Sequence, residues 1–138
     1  MEELKKELPE EYIFLKELEK KNFSKHLKKL SEKLKDKTVI IYGAGSYFNT
    51  INEYYDLSDL NILGISDMKF DDKYPEKYYK EYQVINPENI VKMNPDYILI
   101  ATRYCFKLGL NLIHKFHNTK TQIKPLVKKG FFELLNGG

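Results

Sequence analysis

Cysteine is nearly absent: Cys105 stands alone in 138 residues. That excludes an intrachain disulfide and any site built from several thiolates, and it fits a reducing compartment. Arginine is just as scarce, because Lys and Arg together number 23 and all but Arg103 are Lys. No stretch reaches the roughly 18 continuous apolar residues of a membrane span, and the charged start lacks the apolar core of a signal peptide. The expectation is a cytoplasmic protein without a membrane span. Charge of one sign is also in short supply. The 23 cations face 20 Asp and Glu, a formal net charge of +3, and Glu interrupts the lysine runs, so no strong field selects nucleic acid.

What is present is enough for one compact core. The chain is 42% hydrophobic and 14% aromatic, at a length that suits a single domain and leaves no room for two. Its character changes near residue 37. Before that point Leu4, Leu8, Leu15, Leu18, Leu27, Leu30 and Leu34 recur at mostly helical intervals among Glu and Lys, which predicts amphipathic helix. Pro9 with Glu10 and Glu11 suits a first turn, and a break at residues 22–24 divides the segment into two short helices, with Ser24 as the expected cap of the second. Residues 1–36 therefore form an N-terminal helical segment, which packs on the domain's own core or assembles with a partner or a second copy.

After residue 37 strand and helix patterns alternate. Residues 38–42 (TVIIY) predict a strand, Gly43-Ala44-Gly45 a tight turn, and residues 46–55 a helix with Phe48, Ile51 and Tyr55 on one face. Residues 61–66 predict a second strand ending at Asp67, and the polar, tyrosine-rich run 68–81 predicts a loop. Residues 82–85 read as a short strand, and Asn86 and Pro87 open a helix that Asn94-Pro95 stops. Residues 97–101 (YILIA) are the most continuous apolar run and predict a central parallel strand. Phe106, Leu110, Ile113 and Phe116 are spaced as one face of a helix over 105–116, and residues 122–127 predict a last strand that Pro125 confines to an edge or cuts short. A final turn of helix is expected over 131–135. This alternation predicts an α/β fold: a three-layer, Rossmann-like parallel sheet of about five strands preceded by amphipathic helices, with residues 37–138 as the binding domain.

The strongest chemical signal is Gly43-Ala44-Gly45-Ser46-Tyr47-Phe48 between a predicted strand and helix. The first glycine permits a tight turn, the second lets a phosphate approach the backbone, and the positive end of the following helix faces the anion. Phe48 stands where a dinucleotide fingerprint carries a third small residue. Asp67, at the end of the second strand, can accept hydrogen bonds from ribose hydroxyls or simply favour a turn. Thr102 and Arg103 leave the YILIA strand at the same carboxyl edge, where a guanidinium can pair with phosphate or carboxylate or serve as an ordinary surface arginine. Tyr47 and Tyr104 can stack on a base or pack. His114 and His117 lack a completing ligand, so no metal site is expected. Cys105 has no base beside it and reads as a small buried thiol, and Asp71 and Asp72 read as solvated.

VIIYGAGSYFNTI, LNILGISD and YQVINPENIVKMNPDYILIATR together resemble the small Rossmann-like domains of bacterial nucleotide-sugar and surface-polysaccharide proteins. These include NAD(P)-binding modules of sugar epimerase-like proteins and the N-terminal domains of sugar acyltransferases. The resemblance covers residues 37–127. It implies that Gly43, Gly45 and Ser46 hold phosphates, that Asp67 meets ribose, and that Thr102 and Arg103 face the ligand, which would be NAD(P), a nucleotide sugar or coenzyme A. It supplies no nucleophile, base or metal, and the chain is too short for an epimerase's substrate-binding region. Three readings stay open: a binding module for a nucleotide-containing phosphate ligand, a small nucleotide-sugar enzyme completed by oligomerisation, and an interaction protein that kept the fold without the ligand. A methyltransferase-like use of the same turn and acid is a weaker fourth.

Overall fold

The computed structural model describes residues 9–103 and 106–128. Leu4, Leu8, Tyr104, Cys105 and the helix expected over 131–135 lie outside the described residues. The elements in chain order are α1 (Glu10–Lys20), α2 (Phe23–Lys33), β1 (Thr38–Tyr42), α3 (Ser46–Tyr54), β2 (Asn61–Ser66), β3 (Tyr78–Tyr79), β4 (Tyr82–Ile85), a 3-10 turn (Pro87–Asn89) leading into α4 (Ile90–Met93), β5 (Tyr97–Ile100), α5 (Phe106–Lys115) and β6 (Gln122–Pro125). The sheet order is β3-β4-β2-β1-β5-β6. All pairings are parallel except β3 with β4. The parallel strands thus extend from β1 first toward β2 and β4, then from its other side toward β5 and β6, so the direction of growth reverses between β1 and β5.

Because side chains alternate along a strand, each central strand feeds two cores. Val39, Ile41, Tyr97 and Leu99 join Phe14 and Leu18 of α1, Phe23 and Leu27 of α2, and Phe48 and Ile51 of α3 on one face. Ile40, Tyr42, Ile98 and Ile100 join Ile90 of α4 and Leu112 and Phe116 of α5 on the other. The result is a three-layer α/β architecture, and the two N-terminal helices are part of it: they pack on the domain's own core. Two phenylalanines, Phe14 and Phe23, anchor them beside the leucines that mark the helical pattern.

Several local expectations are corrected. The second helix starts at Phe23 with Asn22 as its cap residue in the left-handed region (φ 53°) and without a side-chain cap bond, so Ser24 does not cap it; asparagine tolerates that conformation at little cost. The tyrosine-rich segment is not wholly loop. Tyr78–Tyr79 pairs antiparallel with β4 across a two-residue turn in which Lys80 takes φ 55°. No glycine or asparagine announces this turn in the sequence, and its strand is held instead by Tyr79, whose ring lies 5.8 Å from that of the fully buried Phe70.

On α5 the buried stripe is Leu112 and Phe116 with Leu108 packed partly against it, whereas Leu110 and Ile113 are each 52% exposed. The expected face through Leu110 and Ile113 is thus turned to solvent. β6 ends at Pro125, two residues short of the expected strand end, and pairs in parallel only with β5. The helix after β4 opens as expected: the Asn86 side chain accepts a hydrogen bond from the Glu88 amide at 3.0 Å, and Asn94 in the left-handed region closes it ahead of Pro95.

Candidate functional site

The glycine turn sits where the sheet reverses direction. Gly43 follows β1 directly at φ 122°, a backbone conformation that suits glycine. A Cβ there would lie 2.9 Å from Thr102 Cγ2 and 3.1 Å from the Ala101 carbonyl carbon. The ends of β1 and β5 therefore touch at Gly43 and Thr102. The Gly43 amide donates to the Ser66 carbonyl and the Ala101 amide to the Tyr42 carbonyl, both at 2.8 Å, extending the ladder on either side of β1 up to the turn. In open α/β sheets this crevice outside the carboxyl ends, at the reversal of strand order, is where ligands bind.

Asp67 belongs to the same turn. Its Oδ2 accepts the Ala44 amide at 2.7 Å, and its Oδ1 accepts the Lys69 amide at 3.1 Å. The carboxylate thus ties the end of β2 to the glycine turn across 23 residues of chain, and each oxygen retains a further lone pair for a hydroxyl. Burial first and the Asp67 charge second push the Tyr42 phenol above its ordinary pKa. Lys69 reaches back from the following loop and donates from Nζ to the Ala44 carbonyl. Its ammonium lies 5.0 Å above the Tyr79 ring and 5.6 Å from the Phe70 ring centre. Sequence reasoning missed Lys69 because it carries no motif; its position two residues after Asp67 was the available signal.

Gly45 is the exposed residue of the turn, and a Cβ there would meet nothing within 4 Å. It is the cap residue of α3 and contributes no side chain to the helix's first amides. Ser46 is exposed at the first position of α3, and its carbonyl accepts the Thr50 hydroxyl at 3.0 Å. Ala44 is fully buried. Tyr47 turns inward: it is 4% exposed, with its ring edge-on to Phe14 at 5.1 Å, a core role in place of an open stacking face. Phe48 is wholly buried and meets the Tyr82 ring at 5.7 Å. A large residue where a fingerprint has a small one is thereby accommodated within the core.

Arg103 is engaged by the protein. Its Nε donates to Glu17 Oε2 on α1 at 3.1 Å, and its guanidinium carbon stands 5.3 Å above the Phe14 ring. The structure therefore brings together Gly43, Ala44, Gly45, Asp67 and Thr102, adds Lys69, and directs Arg103 toward the N-terminal helix; Tyr104 lies outside the described residues. Away from this edge, His114 and His117 stack ring on ring at 5.8 Å. Among the described residues no group of three or more His, Cys, Asp or Glu is arranged to hold a metal ion, and no helix is long and apolar enough to cross a membrane.

The family model described as C2185-like, N-terminal, matches residues 35–114. No curated protein and no solved structure matches the chain. The matched segment runs from the approach to β1 to within one residue of the end of α5, so it contains the glycine turn, Asp67, Lys69, Thr102 and Arg103. Since it spans more than half of the 138 residues, the chain belongs to the C2185-like, N-terminal family.

Proposed function

We propose that this chain is a binding module for a nucleotide-containing phosphate ligand, NAD(P) or a nucleotide sugar, taken up at the carboxyl edge of the sheet. The observation that carries the reading is the position of the glycine turn at the reversal between β1 and β5. Gly45, with open space above it, leads into the amino end of the nine-residue helix α3, a place where backbone amides and the helix dipole favour phosphate. In this reading Ser46 and the Lys69 ammonium complete the phosphate contacts, Asp67 receives a ribose hydroxyl, and Thr102 closes the crevice floor. Arg103 contributes by holding α1 in place through its Nε bond to Glu17. The setting, cytoplasmic and in bacterial surface-sugar metabolism, belongs to the same proposal and rests on the resemblance in the sequence.

A second reading, a protein that retains the fold without a ligand, is favoured by one specific observation. Asp67 and Arg103, two charged residues expected at the site, are both held by protein groups. The two readings separate in thermal unfolding against NAD, NADP, UDP- and CDP-sugars, coenzyme A and S-adenosylmethionine. A ligand at about 100 times its dissociation constant adds about 2.7 kcal/mol, a rise of roughly 8–10 °C for a domain of this size. Gly45→Asp is the control, because Gly45 has φ −117° and room for a side chain, so the variant folds while placing a carboxylate where the phosphate would lie. A shift in the wild type that the variant lacks establishes the module; no shift with any member of the panel, in protein stripped of carried-over ligand, leaves the ligand-free reading.

A further inference from the structure

A second concavity shares no residue with the glycine turn. It is a groove of about 350 Å³ between α2 and the sheet edge formed by β5 and β6. Its floor is apolar: Leu34 is fully buried, Tyr97 is 7% exposed, and Leu30 and Pro125 are partly covered. Its rim is cationic, with Lys29 and Lys33 from α2, Lys124 from β6, Lys128 beyond it, and His26. Among the described residues no carboxylate lines it. In a chain whose formal net charge is only +3, four ammonium groups around one apolar floor are a concentrated positive field. His26 registers it: burial lowers its pKa most, the Leu126 carbonyl opposes that, and Lys128 and Lys29 lower it further.

We propose that this groove binds a small amphiphilic anion, an apolar body seated on Leu30, Leu34, Tyr97 and Pro125 with a carboxylate or phosphate head among the lysines. Its volume lies within the range of small-molecule sites, and its mainly apolar lining with a few charged groups at the mouth matches their usual composition. A bilayer is a poorer occupant, because the apolar side of α2, the helix at the groove, is already committed to the core through Phe23 and Leu27, 1% and 7% exposed. Nucleic acid is also poorer, since among the described residues Tyr97 is the groove's one Phe, Tyr or Trp, and it is buried. Of the groove residues named, only Tyr97 falls within the family-matched segment 35–114; the others lie on the flanking elements.

The test is an amide and imidazole NMR titration of the whole chain with octanoate and with octyl phosphate. Octanol and octylammonium serve as neutral and cationic counterparts. The expected result is saturable shifts confined to His26–Leu34, Tyr97 and Lys124–Lys128, a rise in the His26 pKa on binding, and weaker or no binding of octanol and octylammonium. The two anionic arms decide between carboxylate and phosphate heads. A Lys29→Glu/Lys128→Glu variant, altered only at exposed side chains, is expected to lose at least about tenfold in affinity. The proposal is overturned by an absence of saturation with both anions, by octanol binding as tightly as octanoate with no effect of the charge reversal, or by shifts centred on residues 43–47. Binding of anionic vesicles while both monomeric anions leave the groove unshifted overturns it as well.

Discussion

Glu17 Oε2 lies 3.1 Å from Arg103 Nε, joining α1 to the segment that leaves β5. Both side chains keep partial contact with water, 23% for Glu17 and 36% for Arg103, and pairs of this kind contribute about 0.5–1 kcal/mol. The Phe14 ring under the guanidinium adds an attraction of similar size. Arg103→Ala is therefore expected to lower stability by about 1–2 kcal/mol, and a double-mutant cycle with Glu17→Gln to return a coupling of about 0.5–1 kcal/mol in denaturant midpoints. A coupling of zero would remove Arg103 from its role as the anchor of α1.

The two glycines of the turn are expected to respond unequally to the same change. Gly43→Ala forces a Cβ into contact with Thr102 at φ 122° and should cost about 2–3 kcal/mol. Gly45→Ala, with φ −117° and nothing within 4 Å, should stay within about 0.5 kcal/mol of the parent. Urea unfolding of the pair checks this, and equal losses would contradict the geometry of the turn.

Asp67 accepts two backbone amides, one through each oxygen. Asp67→Asn keeps one carbonyl acceptor and loses the charge, with an expected cost of about 1–2 kcal/mol. Because Ala44 is otherwise buried, its amide should exchange with solvent markedly faster in the variant while amides within β1 keep their protection. Unchanged exchange at Ala44 would mean that Asp67 does not pin the turn.

At the opposite end of the sheet, Asp96 supplies a pH-dependent clamp. Its Oδ2 accepts the Thr38 amide at 2.8 Å, its Oδ1 meets Lys120 Nζ at 3.1 Å, and its pKa is held down at about 2, first by the Thr38 amide and then by Lys120. A carboxyl depressed in the folded state stabilises fully above its unfolded pKa, near 3.9, and loses that contribution as pH falls toward its folded value. Asp96→Asn should therefore be less stable than the parent at neutral pH, and the two unfolding midpoints should converge as pH drops from about 4 to about 2. A gap that persists at the acid limit would assign the loss to packing instead of charge.

The strands were legible where apolar residues clustered in short runs: 38–42 and 61–66 match β1 and β2 residue for residue, because a buried parallel strand needs apolar character on both faces. The turn at Gly43 was legible for the same kind of reason, since only its neighbours' close approach and a positive φ demand glycine there. Less legible were features decided by tertiary contact. Arg103 meets a carboxylate 86 residues away, and no local pattern encodes such a pairing. On α5, Leu108, Leu112 and Phe116 compete with Leu110 and Ile113 for the core, and both sets have helical spacing; the sheet chose the first. Lys69 was hidden by its surroundings, a polar run whose order depends on Phe70 and Tyr79 packing beneath it.

The segment that identifies the family begins at residue 35, yet Phe14, Leu18, Phe23 and Leu27 before it, and Leu126 and Val127 after residue 114, belong to the same cluster as Val39 and Ile41. The unit that can be recognised is smaller than the unit that folds. Cut to its recognisable part, the chain would keep Phe48 and Ile51 on that side of its sheet but present the surface that α1 and α2 cover to water, and would lose cooperative unfolding. The flanking helix pair is, in that sense, half of a shell without which the shared half has no autonomy.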